Sequence, residues 1–263
     1  MTKKTDYQQG EFSWVDLVAH DLSAAIEFYG NFFGWRSAAQ DTASGPPYTM
    51  FQLDGADVAG AGQMSDEMKG QGVPPMWNSY IQVDDIAATT ARAVELGATV
   101  TVQPMQVMDA GHLSFITDPT GAHVGFWQKG RHCGASVLDE PGSLCWNELA
   151  TRDIDRAREF YGQLLGWQFT EQKQDRPTTY LLCQMDGVDK AGMLQMNEQW
   201  GDIPPVWIVY FAVADAHAAT ARFTELSGTI RVPPFPSPVG TIAVVSDPQG
   251  AVFSLLDRST RPA

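Results

Sequence analysis

Two carboxylates stand at matching places in this 263-residue chain, and each follows a tryptophan by two positions. Asp16 lies in Trp14-Val15-Asp16-Leu17, and Glu148 lies in Trp146-Asn147-Glu148-Leu149, 132 positions further on. In an extended segment, residues two apart share a face, so each acid shares a surface with an indole. A carboxylate walled by indole is poorly hydrated, which raises its pKa toward the range useful for moving a proton. Asp16 and Glu148 are therefore the candidate acid–base residues. Trp77, Tyr48, Tyr80 and Trp127 lie on candidate strands of the same half as Asp16, together with Asn78, His112 and His123. Tyr180, Trp207 and Tyr210 do so in the half that holds Glu148. Large rings with few convergent polar groups make a pocket for a flat or apolar organic molecule. The same rings equally suit a filled core or a domain–domain contact.

The elements that must position these residues also come twice. After the first acid, Asp21 precedes Glu27-Phe28-Tyr29-Gly30 and Gly34-Trp35; after the second, Asp153 precedes Glu159-Phe160-Tyr161-Gly162 and Gly166-Trp167. Further on, Pro74-Pro75-Met76-Trp77 matches Pro204-Pro205-Val206-Trp207, and Asp118-Pro119-Thr120-Gly121-Ala122 matches Asp247-Pro248-Gln249-Gly250-Ala251. The offset drifts from 132 to 129, as small loop deletions would produce. A unit of this length is a domain, not a solenoid repeat. Two domains result, over 8–130 and 144–258, joined by a glycine- and proline-bearing linker over 131–143.

Within each copy the periodicity reads as β-α-β-β-β, twice. Residues 12–19 alternate as a strand, with Phe12, Trp14, Asp16 and Val18 on one face. Asp21 suits a helix N-cap, the apolar spacing from Leu22 to Phe33 is helical, and Gly34 ends it. Strands are expected near 48–53 and 57–64, then 77–83, a helix over 86–96, and strands near 99–103, 112–117 and 122–128.

Bulk properties exclude several classes. A formal charge of −14 opposes nucleic acid or an anionic membrane surface as partner. No apolar run approaches the roughly 20 residues of a membrane span, and the start has no signal-peptide character. Cys133, Cys145 and Cys183 are odd in number without CxxC spacing, which fits reduced thiols and a cytoplasmic location.

The strand–Asp–helix pattern with its Phe-Tyr pair, and the Asp-Pro-x-Gly turn, together resemble the vicinal oxygen chelate superfamily of glyoxalases, bleomycin-resistance proteins and extradiol dioxygenases. The resemblance covers residues 11–257. At finer grain the chain is similar to two-domain glyoxalase-like proteins often labelled "hydroxylase", among them a mycobacterial culture-filtrate antigen. It implies an α+β fold of tandem domains. Each would hold two βαβββ modules whose curved, mostly antiparallel sheets surround a concave pocket.

The resemblance also implies a divalent metal, held by His or Gln seven residues before the helix-capping Asp and by Glu seven after the Asp of Asp-Pro-x-Gly. Here those six positions are Trp14, Asn78, Gly125, Trp146, Ile208 and Ser254. Indole and alkyl groups offer no lone pair to a metal. No metal and no other cofactor is therefore expected, with a displaced Asp16/His123/Asn78 set as the exception to test. His20, His132 and His217 carry no signal, falling in expected turn, linker and helix surfaces. The leading expectation is a metal-free protein that binds a small aromatic or polycyclic molecule, as bleomycin-resistance relatives do. The alternative is a lyase, isomerase, hydrolase or hydroxylase using Asp16 or Glu148 as acid or base. As a covalent tandem the chain is expected to act as a monomer or homodimer.

Overall fold

The computed structural model describes residues 3–42, 45–172 and 178–261. The first copy builds β1 (Phe12–Ala19), α1 (Leu22–Phe33), β2 (Arg36–Gln40), β3 (Tyr48–Leu53), β4 (Ala56–Gln63), α2 (Asp66–Gly70), β5 (Met76–Gln82), α3 (Ile86–Glu95), β6 (Thr99–Val107), β7 (Gly111–Thr117) and β8 (His123–Lys129). The second builds β9 (Leu144–Thr151), α4 (Ile154–Leu165), β10 (Gln168–Glu171), β11 (Tyr180–Met185), β12 (Val188–Gln195), β13 (Val206–Ala212), α5 (Ala216–Glu225), β14 (Thr229–Ser237), β15 (Gly240–Ser246) and β16 (Val252–Asp257). Each copy forms one eight-stranded sheet, in the orders β2-β3-β4-β1-β5-β8-β7-β6 and β10-β11-β12-β9-β13-β16-β15-β14. The α+β class and tandem arrangement expected from sequence are thus present. The edge strand β2 and the short helix α2 had no periodic signal strong enough to announce them.

Local chemistry sets the helices. Asp21 accepts a hydrogen bond from the Ala24 amide, and Asp85, Asp153 and Asp215 cap α3, α4 and α5 in the same way. Gly34 and Gly166 end α1 and α4 with φ of 73° and 72°, a left-handed conformation that glycine adopts without strain.

Each sheet has two faces with different tasks. The convex faces pack against each other and against the helices, and their cores mix residues of both copies. From α1, Phe28 meets Phe223 at 5.2 Å between ring centres, and Phe33 meets Phe211 at 5.2 Å. The two repeated motifs then interlock across the copies. Tyr29 of α1 donates to Asp247 Oδ2 at 3.0 Å and accepts from Trp77 Nε1 at 3.1 Å. Tyr161 of α4 donates to Asp118 Oδ2 at 2.9 Å and accepts from Trp207 Nε1 at 2.9 Å. The other oxygen of Asp118 holds its own turn by accepting from the Thr120, Gly121 and Ala122 amides. Each Asp-Pro-x-Gly turn is therefore tied to the Phe-Tyr helix of the other copy. Both tyrosines are fully buried, where an unmatched hydroxyl would be costly.

One expectation about β1 is corrected. The register shifts between Phe12 and Trp14, so Phe12 leaves the face of Trp14 and Asp16. It packs in the convex core, 4.9 Å from Trp207 and 6.1 Å from Trp167.

Candidate functional site

The concave face of the first sheet gathers the acid and its partners. Trp14 and Asp16 project from β1, Asn78 and Tyr80 from the antiparallel neighbour β5, Tyr48 from β3, and Phe115 and Trp127 from β7 and β8. Asp16 Oδ1 accepts from Asn78 Nδ2 at 2.9 Å, while Oδ2 accepts from Tyr80 at 2.9 Å and Tyr48 at 3.3 Å. Tyr48 in turn accepts from Trp14 Nε1 at 3.0 Å. Burial raises the Asp16 pKa above the ordinary carboxylate value, and these three hydrogen bonds oppose the rise. Tyr48 and Tyr80 are pushed well above the usual phenol range by burial and by the charge of Asp16, so they act as donors.

A glycine makes this arrangement sterically feasible. Asp16 pairs in register with Gly60 of β4, and a Cβ at Gly60 would lie 2.0 Å from the Tyr48 hydroxyl. The bare backbone lets the phenol cross the strand to reach the acid.

The second sheet repeats the frame with fewer polar groups. Tyr210 donates to Glu148 Oε1 at 3.0 Å, and Trp146 Nε1 donates to Tyr180 at 3.2 Å. Burial raises the Glu148 pKa, opposed by hydrogen bonds from Tyr180 and Tyr210. Gly192 takes the role of Gly60, with a would-be Cβ 2.0 Å from the Tyr180 hydroxyl. Ile208 faces Glu148 where Asn78 faces Asp16, and Leu256 and Ile242 complete the apolar wall.

Of the candidate residues, Trp14, Asp16, Tyr48, Asn78, Tyr80 and Trp127 thus converge on one face, and Trp146, Glu148, Tyr180 and Tyr210 on the other. His123 sits at the rim of the first face, its ring stacked on Phe115 at 4.8 Å. Three candidates are corrected. Trp77 and Trp207 alternate out of the concave faces and bond the buried tyrosines of the convex core. His112 alternates with Leu113 and Phe115, so it shares the opposite face with Ser114 and Ile116. The period of two places them there once the true register is known.

His132 was missed. The chain after β8 folds back over the first concave face, with Ala135 N bonded to Ser13 O at 2.8 Å. The His132 ring lies 4.4 Å from Trp14, edge to face, and its backbone oxygen accepts from Trp127 Nε1 at 2.9 Å. Its Nε2 is buried and finds no hydrogen-bond partner among the described residues. Gly134, at φ 124°, permits the approach, since a Cβ there would lie 2.4 Å from Ser13 O. A glycine in a linker gave no hint of which surface it would touch.

The metal that the resemblance implies finds no matching donor set. Both oxygens of Asp16 already accept hydrogen bonds, and Asn78 directs its amide nitrogen at that acid. At the position where a glutamate ligand would project, a Cβ on Gly125 would lie 2.6 Å from Tyr80 Cδ1 and 2.9 Å from Phe115 Cε1. Among the described residues, no group of three or more His, Cys, Asp or Glu is placed to hold a metal ion.

A fold of paired βαβββ modules with acid-bearing concave faces has known counterparts. The sequence matches the profile of the Glyoxalase/Bleomycin resistance protein/Dioxygenase superfamily over residues 11–126 and 134–255. The chain belongs to that superfamily. It is 40% identical to CFP32 of Mycobacterium tuberculosis, named as a glyoxylase, over 97% of this chain and 98% of that one. It is 32% identical to the anthracycline biosynthesis protein DnrV of Streptomyces peucetius, over 96% and 95% of the two chains. Among solved structures, the Mn(II)-bound glyoxalase from Novosphingobium aromaticivorans superposes with a TM-score of 0.64 at 16% identity, covering 97% of this chain and 86% of that one. The 2,3-dioxygenase LapB from Pseudomonas sp. KL28 gives 0.64 at 14% identity, covering 95% and 93%. At such identities these structures establish the shared fold alone. No helix among the described residues is long and apolar enough to cross a membrane.

Proposed function

We propose that the protein binds a flat, polycyclic aromatic molecule on a concave face without a metal, in the manner of a sequestering or resistance protein. The observation that carries this reading is the repeated unit of a buried carboxyl, two tyrosines and an indole. Such a unit offers stacking surface and a short polar edge able to meet a hydroxyl or carbonyl group. The relatedness to an anthracycline biosynthesis protein supports a polycyclic ligand, since its named products are fused aromatic rings. The chain's charge of −14 favours a neutral or cationic ligand over an anionic one. Titration with a panel of hydroxylated polycyclic aromatics, followed by tryptophan fluorescence and thermal shift, tests the reading. Quenching and a raised Tm with at least one compound are expected. No response across the panel would overturn it.

A second reading is favoured by the raised pKa of both carboxyls. A carboxyl that holds its proton nearer neutrality can act as general acid or base toward a bound ligand. On that reading, Asp16→Asn and Glu148→Gln abolish turnover of a substrate that binds. Full turnover in both variants would remove acid–base catalysis by these groups.

A further inference from the structure

We infer that the second concave face, around Glu148, is the one that receives the ligand, while the first is filled by the protein's own side chains. The inference rests on the binding reading above and assigns it to one of two sites. Matched positions differ consistently. Trp14, Met50, Asn78 and Phe115 are all buried, whereas their counterparts Trp146, Leu182, Ile208 and Val244 are each partly exposed. The first face holds Trp127 and Phe115 where the second holds Leu256 and Val244, so two aromatic rings are replaced by smaller aliphatic groups.

The first face is also roofed. His132 lies edge-on against Trp14, and Trp127 is bonded to the same residue's backbone. Tyr80 meets Phe115 at 5.1 Å, over the bare backbone of Gly125. Asp16 is satisfied there by three side-chain donors, so a ligand would have to displace a closed hydrogen-bond network.

The second face has the opposite character. Ile208 replaces the amide of Asn78, which leaves Glu148 with the two tyrosines alone. Its walls are apolar, from Ile208, Ile242, Val244 and Leu256, and its indole is partly exposed. This combination suits a fused-ring ligand that stacks on Trp146 and presents a hydroxyl or amine to Glu148.

Calorimetric titration with a hydroxyanthraquinone tests the assignment, using matched rim substitutions Ile242→Trp and Leu113→Trp. The expected result is one dye per chain, about tenfold weaker binding in Ile242→Trp, and less than about twofold change in Leu113→Trp. Glu148→Gln should weaken binding about tenfold, which keeps the test decisive if a rim variant misfolds. Independently of any dye, acrylamide quenching should fall in Trp146→Phe and persist in Trp14→Phe. Binding lost through Leu113→Trp, or two dyes per chain, would overturn the assignment while the binding reading stood. No dye binding at all would overturn both.

Discussion

The two concave faces descend from one plan and have been finished differently. Both keep the acid, the tyrosine that crosses a glycine, the tyrosine on the neighbouring strand and the indole. The first adds Asn78, Phe115, Trp127 and His132, and its rings become mutually buried. The second substitutes aliphatic groups and stays partly open. What is shared supports the carboxyl, and what differs decides whether the space above it is occupied. A duplicated chain can thus fill one face with its own side chains and leave the other partly open.

The largest effect should come from making the first face resemble the second. Trp127→Leu copies the residue found at Leu256 and removes a ring that is 6% exposed. It also removes the donor to the His132 backbone. Deleting that much packed volume should lower stability by about 2–4 kcal/mol in urea denaturation. A loss below about 1 kcal/mol would show that the first face is not packed as a core, and the contrast between the faces would weaken.

A smaller effect should be equal in the two faces. Gly60→Ala and Gly192→Ala each place a methyl group 2.0 Å from a tyrosine hydroxyl, so Tyr48 or Tyr180 must swing away from its acid. Because the clash is at the far end of a side chain, the cost should be about 1–3 kcal/mol, similar for both. Denaturation curves for the two variants check this. A large cost in one face only would mean that the shared frame is not shared in energy.

Much of this was legible before the fold was known. The repeat, the capping aspartates Asp21 and Asp153, and the strand faces carrying Trp14 with Asp16 and Trp146 with Glu148 follow from period and spacing. Trp77 and Trp207 misled because an aromatic on a strand looks the same on either face until register is fixed, and their indoles serve the tyrosine–aspartate ties instead. The bulge at Ser13 turned Phe12 over for a related reason, since one extra residue reverses a face. His132 was illegible because its position depends on where a non-periodic linker returns in space, which local sequence does not encode. The exchange of partners, Tyr29 to Asp247 and Tyr161 to Asp118, is likewise a tertiary choice between two equivalent turns.

The smallest effect lies in pH dependence, where the first face carries shifts of both signs and the second a raised carboxyl. Burial raises the pKa of Asp16 above its ordinary 3.8, so the native state binds the proton more tightly than the unfolded chain. Stability contributed by the protonated acid is full below about 3.8 and is lost as pH rises through the raised native value. His132 works the other way: burial lowers its pKa from 6.5, opposed by the charge of Asp57. The unfolded chain then takes up the proton first, so stability falls as pH drops below about 6.5. The second copy has no histidine matching His132; there the carboxyls that burial raises are Glu148 and Asp247. Asp16→Asn and Glu148→Gln should therefore both flatten the loss of stability on raising pH from the acid side. His132→Gln alone should flatten the loss on lowering pH through 6.5, with a residual slope from His123, whose pKa burial also lowers. Urea midpoints for the three variants across this range decide the matter. An unchanged slope in His132→Gln would mean that the linker does not hold this ring against Trp14 in solution.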